Sequence, residues 1–66
     1  MVTEEFRVRD DRDLSPLVQK LQEHGASAVF TMVRGVKTAC VRMPSSDEAA
    51  DICRQLVADW NSDPWA

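Results

Sequence analysis

Ala28-Val29-Phe30-Thr31-Met32-Val33-Arg34-Gly35-Val36-Lys37-Thr38-Ala39-Cys40-Val41-Arg42-Met43 is the stretch on which the fold turns. Its first six residues are apolar or β-branched, and with gaps the same holds from Val36 to Met43, so strand composition stands on both sides of an Arg-Gly pair. Read as a hairpin with Arg34-Gly35 as a two-residue turn, it sets Val33 opposite Val36, Thr31 opposite Thr38 and Val29 opposite Cys40 on one side. Phe30 with Ala39, Ala28 with Val41 and Met32 with Lys37 fall on the other. Arg-Gly is a weaker turn signal than Asn-Gly, because the first turn residue also needs a positive φ. A longer loop, or a one-residue slip that exchanges the two faces, is the competing reading.

Upstream, residues 4–9 alternate: Phe6 and Val8 point one way, Glu5, Arg7 and Arg9 the other, which is the period of a half-buried strand. Asp10-Asp11-Arg12-Asp13 follows as a polar turn. Ser15-Pro16 then predicts a helix over residues 15–24, with the serine as cap, proline in the first turn, and Leu14, Leu17, Val18 and Leu21 as its apolar stripe. His24-Gly25 closes it, since glycine takes the left-handed cap and an imidazole suits the negative end of the helix. The hairpin strands occupy residues 27–33 and 36–43. Downstream, Pro44 stops the second of them, and Ser45 with Glu48 has capping-box spacing. A helix over residues 46–60 is expected to bury Ala49, Ile52, Cys53, Leu56 and Trp60, leaving 61–66 as a tail.

The order β-α-β-β-α in 66 residues predicts a single α+β domain of two layers. A right-handed crossover sets the first and second strands parallel with the third between them and both helices on one face, a ferredoxin-like arrangement lacking its last strand. Two consequences follow: the first strand has a free edge, and the sheet face away from the helices is open. If Phe6, Phe30 and Met32 pack under the helices with Ala39, Val41 and Met43, the open face shows Arg7, Arg9, Val29, Thr31, Val33 and Arg42.

Phe6-Arg7-Val8-Arg9, a helix ending in Gly25, and Val41-Arg42 before Ala49-Ala50 together resemble the pattern of the peptidoglycan-binding SPOR domain, whose ligand lies on an open sheet. The family's final strand has no counterpart here. The order of elements is also similar to the RNA-recognition motif, but Val, Thr and Cys stand where that family stacks bases on aromatic rings. Neither resemblance is taken as membership.

Charge and chemistry narrow the function classes. Eleven acids against eight basic residues give a net charge of -3, against a general grip on nucleic acid. The charge is uneven, at +3 over residues 26–44 and -4 over residues 45–66. No apolar run approaches the roughly 18 residues of a membrane span. The opening Met1-Val2-Thr3-Glu4-Glu5 is acidic where a secretory signal is basic, so the expected compartment is the cytoplasm and Cys40 and Cys53 are expected to be thiols. His24 is the one histidine and sits at a helix end. With Cys40 and Cys53 it has no paired ligand spacing, and Asp10, Asp11 and Asp13 lack the glycine and distal glutamate of a calcium loop. Nucleophile, base and oxyanion donors converge nowhere, so the expectation is a non-enzymatic chain with no catalytic residue, metal site or cofactor.

No motif assigns a function. The expectation is a small protein-binding or regulatory module acting through the open sheet face or the first-strand edge, with a protein partner that includes itself as a homodimer. Arg7, Arg9, Val29, Thr31, Val33 and Arg42 are the candidate contact residues, with Trp65 in the tail as a separate anchor. Asp63-Pro64-Trp65 resembles the tripeptide that clathrin-adaptor appendages bind, a match too short to set a partner. The alternative is a weak nucleic-acid-binding accessory factor using Arg7, Arg9, Lys37 and Arg42 as a basic strip.

Overall fold

Arg34 and Gly35 both take positive φ, 52° and 79°, as a tight hairpin turn that matches the strand twist requires. The two-residue turn fixes the pairing: Val33 faces Val36, Thr31 faces Thr38, Val29 faces Cys40 and Ser27 faces Arg42. This is the register read from the hairpin composition, and no slip occurs. The computed structural model describes residues 2–11 and 13–62. It contains β1 (Thr3–Arg7), α1 (Ser15–Glu23), β2 (Ser27–Val33), β3 (Val36–Arg42) and α2 (Asp47–Ser62). One antiparallel sheet has the order β1-β3-β2, so β1 and β2 run parallel to each other on either side of β3.

Both helices lie on one face. Ala39, Val41 and Met43 of the central strand and its continuation are buried with Leu17 and Leu21 of α1 and Cys53, Val57 and Trp60 of α2. Phe6, Leu14, Ala28, Phe30 and Leu56 pack around this core. The expected α+β fold with two layers is therefore present, and its sheet leaves one face open.

The helix ends differ in detail from the sequence reading. The Asp13 carboxylate, in place of the Ser15 hydroxyl, starts α1: its Oδ1 accepts the Ser15 N–H at 3.0 Å and the Ser15 hydroxyl at 2.9 Å. A charged oxygen is the stronger acceptor, and these bonds hold the Asp13 carboxyl below its usual range. At the other end Gly25 (φ 84°) donates to the Gln22 carbonyl and Ala26 to the Leu21 carbonyl, the glycine-capped ending expected after His24. In α2 the cap is Ser46, whose Oγ accepts the Ala49 N–H at 3.3 Å, one residue beyond the expected Ser45–Glu48 pair. The buried stripe is Ala50, Cys53, Val57 and Trp60, while Ile52 is 39 % exposed. Apolar residues cover a wide arc of this helix, and the sheet selects only part of it. Met32 also departs from the reading: it lies on the helix side of the sheet but beyond the helices, 55 % exposed.

The first-strand edge is not fully free. The Val8 N–H donates to Lys37 and the Met43 N–H to Val2, so even-numbered residues of β1 face β3 and the peptide groups of Thr3, Glu5 and Arg7 turn outward. Asn61 meets them. Its Nδ2 donates to the Arg7 carbonyl at 2.7 Å, its Oδ1 accepts the Arg9 N–H at 3.1 Å, and the Trp60 indole donates to the Arg9 carbonyl at 2.9 Å. One side-chain amide thus takes two groups that a neighbouring strand would otherwise pair. This also explains why β1 ends at Arg7 instead of residue 9, and why α2 continues to Ser62 instead of ending at residue 60: the last turn of α2 captures the chain. Among the described residues nothing caps the Thr3–Glu5 portion of this edge.

Candidate functional site

The open face is built in rows across β1, β3 and β2. Thr3, Arg42 and Ser27 form one row, Glu5, Cys40 and Val29 the next, and Arg7, Thr38 and Thr31 the third. Val36 and Val33 extend it toward the turn. Even the centre of this face is partly closed. Thr38 is buried between Arg7 and Thr31, its hydroxyl donating to the Val36 carbonyl at 3.3 Å.

The structure brings together five of the expected contact residues. Arg7, Val29, Thr31, Val33 and Arg42 are all exposed on this face. Arg9 is not among them: it lies past the end of β1, its backbone is held by α2, and its guanidinium pairs with Asp11 at 3.0 Å. Trp65 lies outside the described residues. The sequence reading also omitted Glu5, which shares the parity of Arg7 and stands beside Cys40, whose Sγ lies 3.8 Å from Glu5 Oε2. Lys37, counted in the alternative basic strip, falls on the opposite side of the sheet, in line with Ala39 and Val41. Arg7, Arg9, Lys37 and Arg42 therefore do not form one strip.

Charge and apolar surface are separated across the sheet. The β1 side carries Glu4, Glu5 and Arg7, and Glu4 is tied to α2 by Arg54 Nε at 3.1 Å. Arg54 also reaches Asp51 at 2.7 Å, and the guanidinium beside Glu4 lowers that carboxyl below its ordinary value. The β2 side has the opposite character. No Asp, Glu, Lys or Arg occurs from His24 to Val33, and Val29 (68 %), Met32 (55 %) and Val33 (44 %) are three of the five exposed large hydrophobic residues among the described residues.

Above β2, a groove of about 340 Å³ runs between the strand and α1, its walls formed by Leu14, Ser15, Val18, Gln19, Gln22 and Phe30, with Asp13 at one end. These helix positions recur at intervals of three and four, so one uncharged stripe of α1 borders the uncharged strand. Lys20 and Glu23, the charged residues of α1, are outside it. The signal was present in the sequence as a ten-residue gap in charge next to this helical spacing. A second groove, about 400 Å³, lies where β1 leaves the sheet, among Arg7, Val8, Arg9, Val36 and Asn61.

The chemistry-bearing residues are dispersed. His24 caps α1 at the surface, Cys40 faces the open side, and Cys53 is enclosed on the helix side, where burial pushes its thiol pKa up. Among the described residues no three His, Cys, Asp or Glu side chains are grouped as a metal site, and no helix is long and apolar enough to cross a membrane. Comparison with protein-family models, with curated proteins and with solved structures gives no match.

Proposed function

We propose that the protein is a non-enzymatic protein-binding module whose contact surface is the β2 side of the sheet. The observation that carries this reading is the concentration of exposed apolar side chains on one uncharged strand, in a chain with 29 % charged residues. Isolated apolar residues on a surface need no explanation, but Val29 and Val33 on the open face and Met32 on the other flank one seven-residue strand whose outer edge is bare among the described residues. The arginines Arg7 and Arg42 border this area as a polar rim. Two thiols on opposite sides of the sheet suit a reducing, cytoplasmic setting.

The test is a photo-crosslinking residue placed at Thr31, compared with one at Gln55 on the outer face of α2. The expected result is a discrete protein adduct from Thr31, identified by mass, that disappears when Val29→Lys is added. An adduct equally strong from Gln55, or indifferent to Val29→Lys, would overturn the reading.

A further inference from the structure

We infer that the partner on this surface is a second copy of the chain, joined edge to edge through β2 into a continuous six-stranded sheet. The inference rests on the protein-binding reading above and names its occupant. The two edges of the sheet differ. On β1 the outward groups at Arg7 and Arg9 are taken by Asn61, and charged side chains flank the strand. On β2 the tight turn makes Val33 and Val36 a hydrogen-bonded pair, so odd-numbered residues bond to β3 and the N–H and C=O groups of Ala28, Phe30 and Met32 point away from the sheet. None of these is bonded by a cap, turn or side chain among the described residues. The strand has seven residues with no charge, no proline and no bulge, the features by which edge strands ordinarily avoid pairing.

A two-fold axis requires antiparallel pairing, and only even-numbered residues can exchange bonds across it. Three registers meet these conditions near the strand centre. Placing Val29 opposite Val29 leaves the Val33 end unpaired, and placing Thr31 opposite Thr31 runs Arg34 of the turn against Ala28. The third centres on Phe30 and pairs the whole of Ser27–Val33. There Phe30 meets Phe30 and Ala28 meets Met32 of the second copy on the helix side, small against large. Val29 meets Thr31, and Ser27 meets Val33, on the open side. No charged residue faces another anywhere along the strand. Arg34 of each turn comes to the Glu23–Gly25 end of the second copy's α1, where the helix is electronegative.

The size of the flank agrees with this occupant. Seven residues span about 23 Å, and the molecule is 16 Å through its thinnest dimension. With side chains included this gives on the order of 500 Å² per partner, or about 1,000 Å² in all, where specific interfaces begin. The uncharged stripes of the two α1 helices then approach each other above the joined strands and close the groove over Phe30 from both sides.

Val29 and Thr31 test the register, because both are exposed in the monomer and oppose each other across the axis as a close, non-hydrogen-bonded pair. The wild-type chain is expected to sediment at twice its 7.4 kDa mass at tens of micromolar. A chain with Val29→Lys and Thr31→Lys, and one with Val29→Glu and Thr31→Glu, should each be monomeric, and an equimolar mixture should restore the dimer. A single chain carrying Val29→Glu with Thr31→Lys should also dimerise, because glutamate then faces lysine; in either neighbouring register it sets like charges opposite. Far-UV circular dichroism checks that every variant is folded. A monomeric wild type, a dimer that persists in the all-lysine chain, or a monomeric Glu/Lys chain would overturn the proposal. If the wild type is monomeric while Thr31 still crosslinks to another protein, self-pairing fails and the protein-binding reading stands; if both experiments fail, so do both inferences.

Discussion

Replacing Asn61 by alanine removes both bonds that close the β1 edge, to the Arg7 carbonyl at 2.7 Å and from the Arg9 N–H at 3.1 Å. Each has a net worth of about 0.5–1.5 kcal/mol, giving about 1–3 kcal/mol for the pair. Alanine regains roughly 0.5 kcal/mol in helix propensity, which leaves a net loss of about 0.5–2.5 kcal/mol. For a chain of 66 residues the total stability is about 3–10 kcal/mol, so the change is a substantial fraction. It lowers the midpoint of thermal unfolding by about 2–20 °C. The assay is urea and thermal unfolding at one fixed low protein concentration. Asn61→Asp sharpens the comparison: it keeps an acceptor for Arg9 but turns a carboxylate toward the Arg7 carbonyl and adds negative charge at a helix C-terminus, so it should cost at least as much as alanine. If both variants unfold at the wild-type midpoint, the amide does not close the edge and the reasoning fails.

Other perturbations read out separate parts of the structure. Ser46→Ala should cost about 0.5–2 kcal/mol through loss of the cap to Ala49, and Ser45→Ala less than about 0.5 kcal/mol; the reverse ranking in urea unfolding would restore the capping box one residue earlier. Glu4, held below its ordinary pKa by Arg54, contributes stability above the carboxylate's unfolded pKa that is lost as pH falls through the lowered folded value. Glu4→Gln should therefore be less stable than wild type at neutral pH and converge with it in acid, and a gap that persists in acid would refute the pairing. Toward an aromatic disulfide reagent Cys40 should react in the native state, whereas Cys53, fully enclosed, waits for unfolding; a fast phase that survives Cys40→Ser would contradict this placement.

The hairpin shows how much of the fold was legible. The pairs from Ala28–Val41 to Val33–Val36 could be read residue by residue on the premise of a two-residue turn, and the structure has that turn and not the slip that would place Ala39 and Val41 in water. Order of elements, strand parity and the left-handed glycine after α1 followed from equally local causes. Five of the seven candidate contact residues reach one exposed face for the same reason, since parity alone places them. Glu5 has that parity too and was omitted, although nothing beyond the alternation of residues 4–9 was needed to include it.

What sequence could not supply was where one layer ends over another. Helical periodicity gave α2 an apolar arc from Ala49 to Trp60, but contact with the sheet chose Ala50 and Val57 and left Ile52 in solvent. Met32 has the parity of the core and is exposed because no helix extends above it. Arg9 and Asn61 are separated by 52 residues, and only the crossing of α2 beyond the edge of β1 brings them within bonding distance. The sequence by itself determined the strands and the alternation of their residues between two faces, because those follow from the period of two, and the positive φ of Arg34 and Gly35 then selected the tight-turn pairing over a slip or a longer loop. Tertiary structure alone decided which edge is closed and which is bare, because that depends on where a rigid helix lies across the sheet.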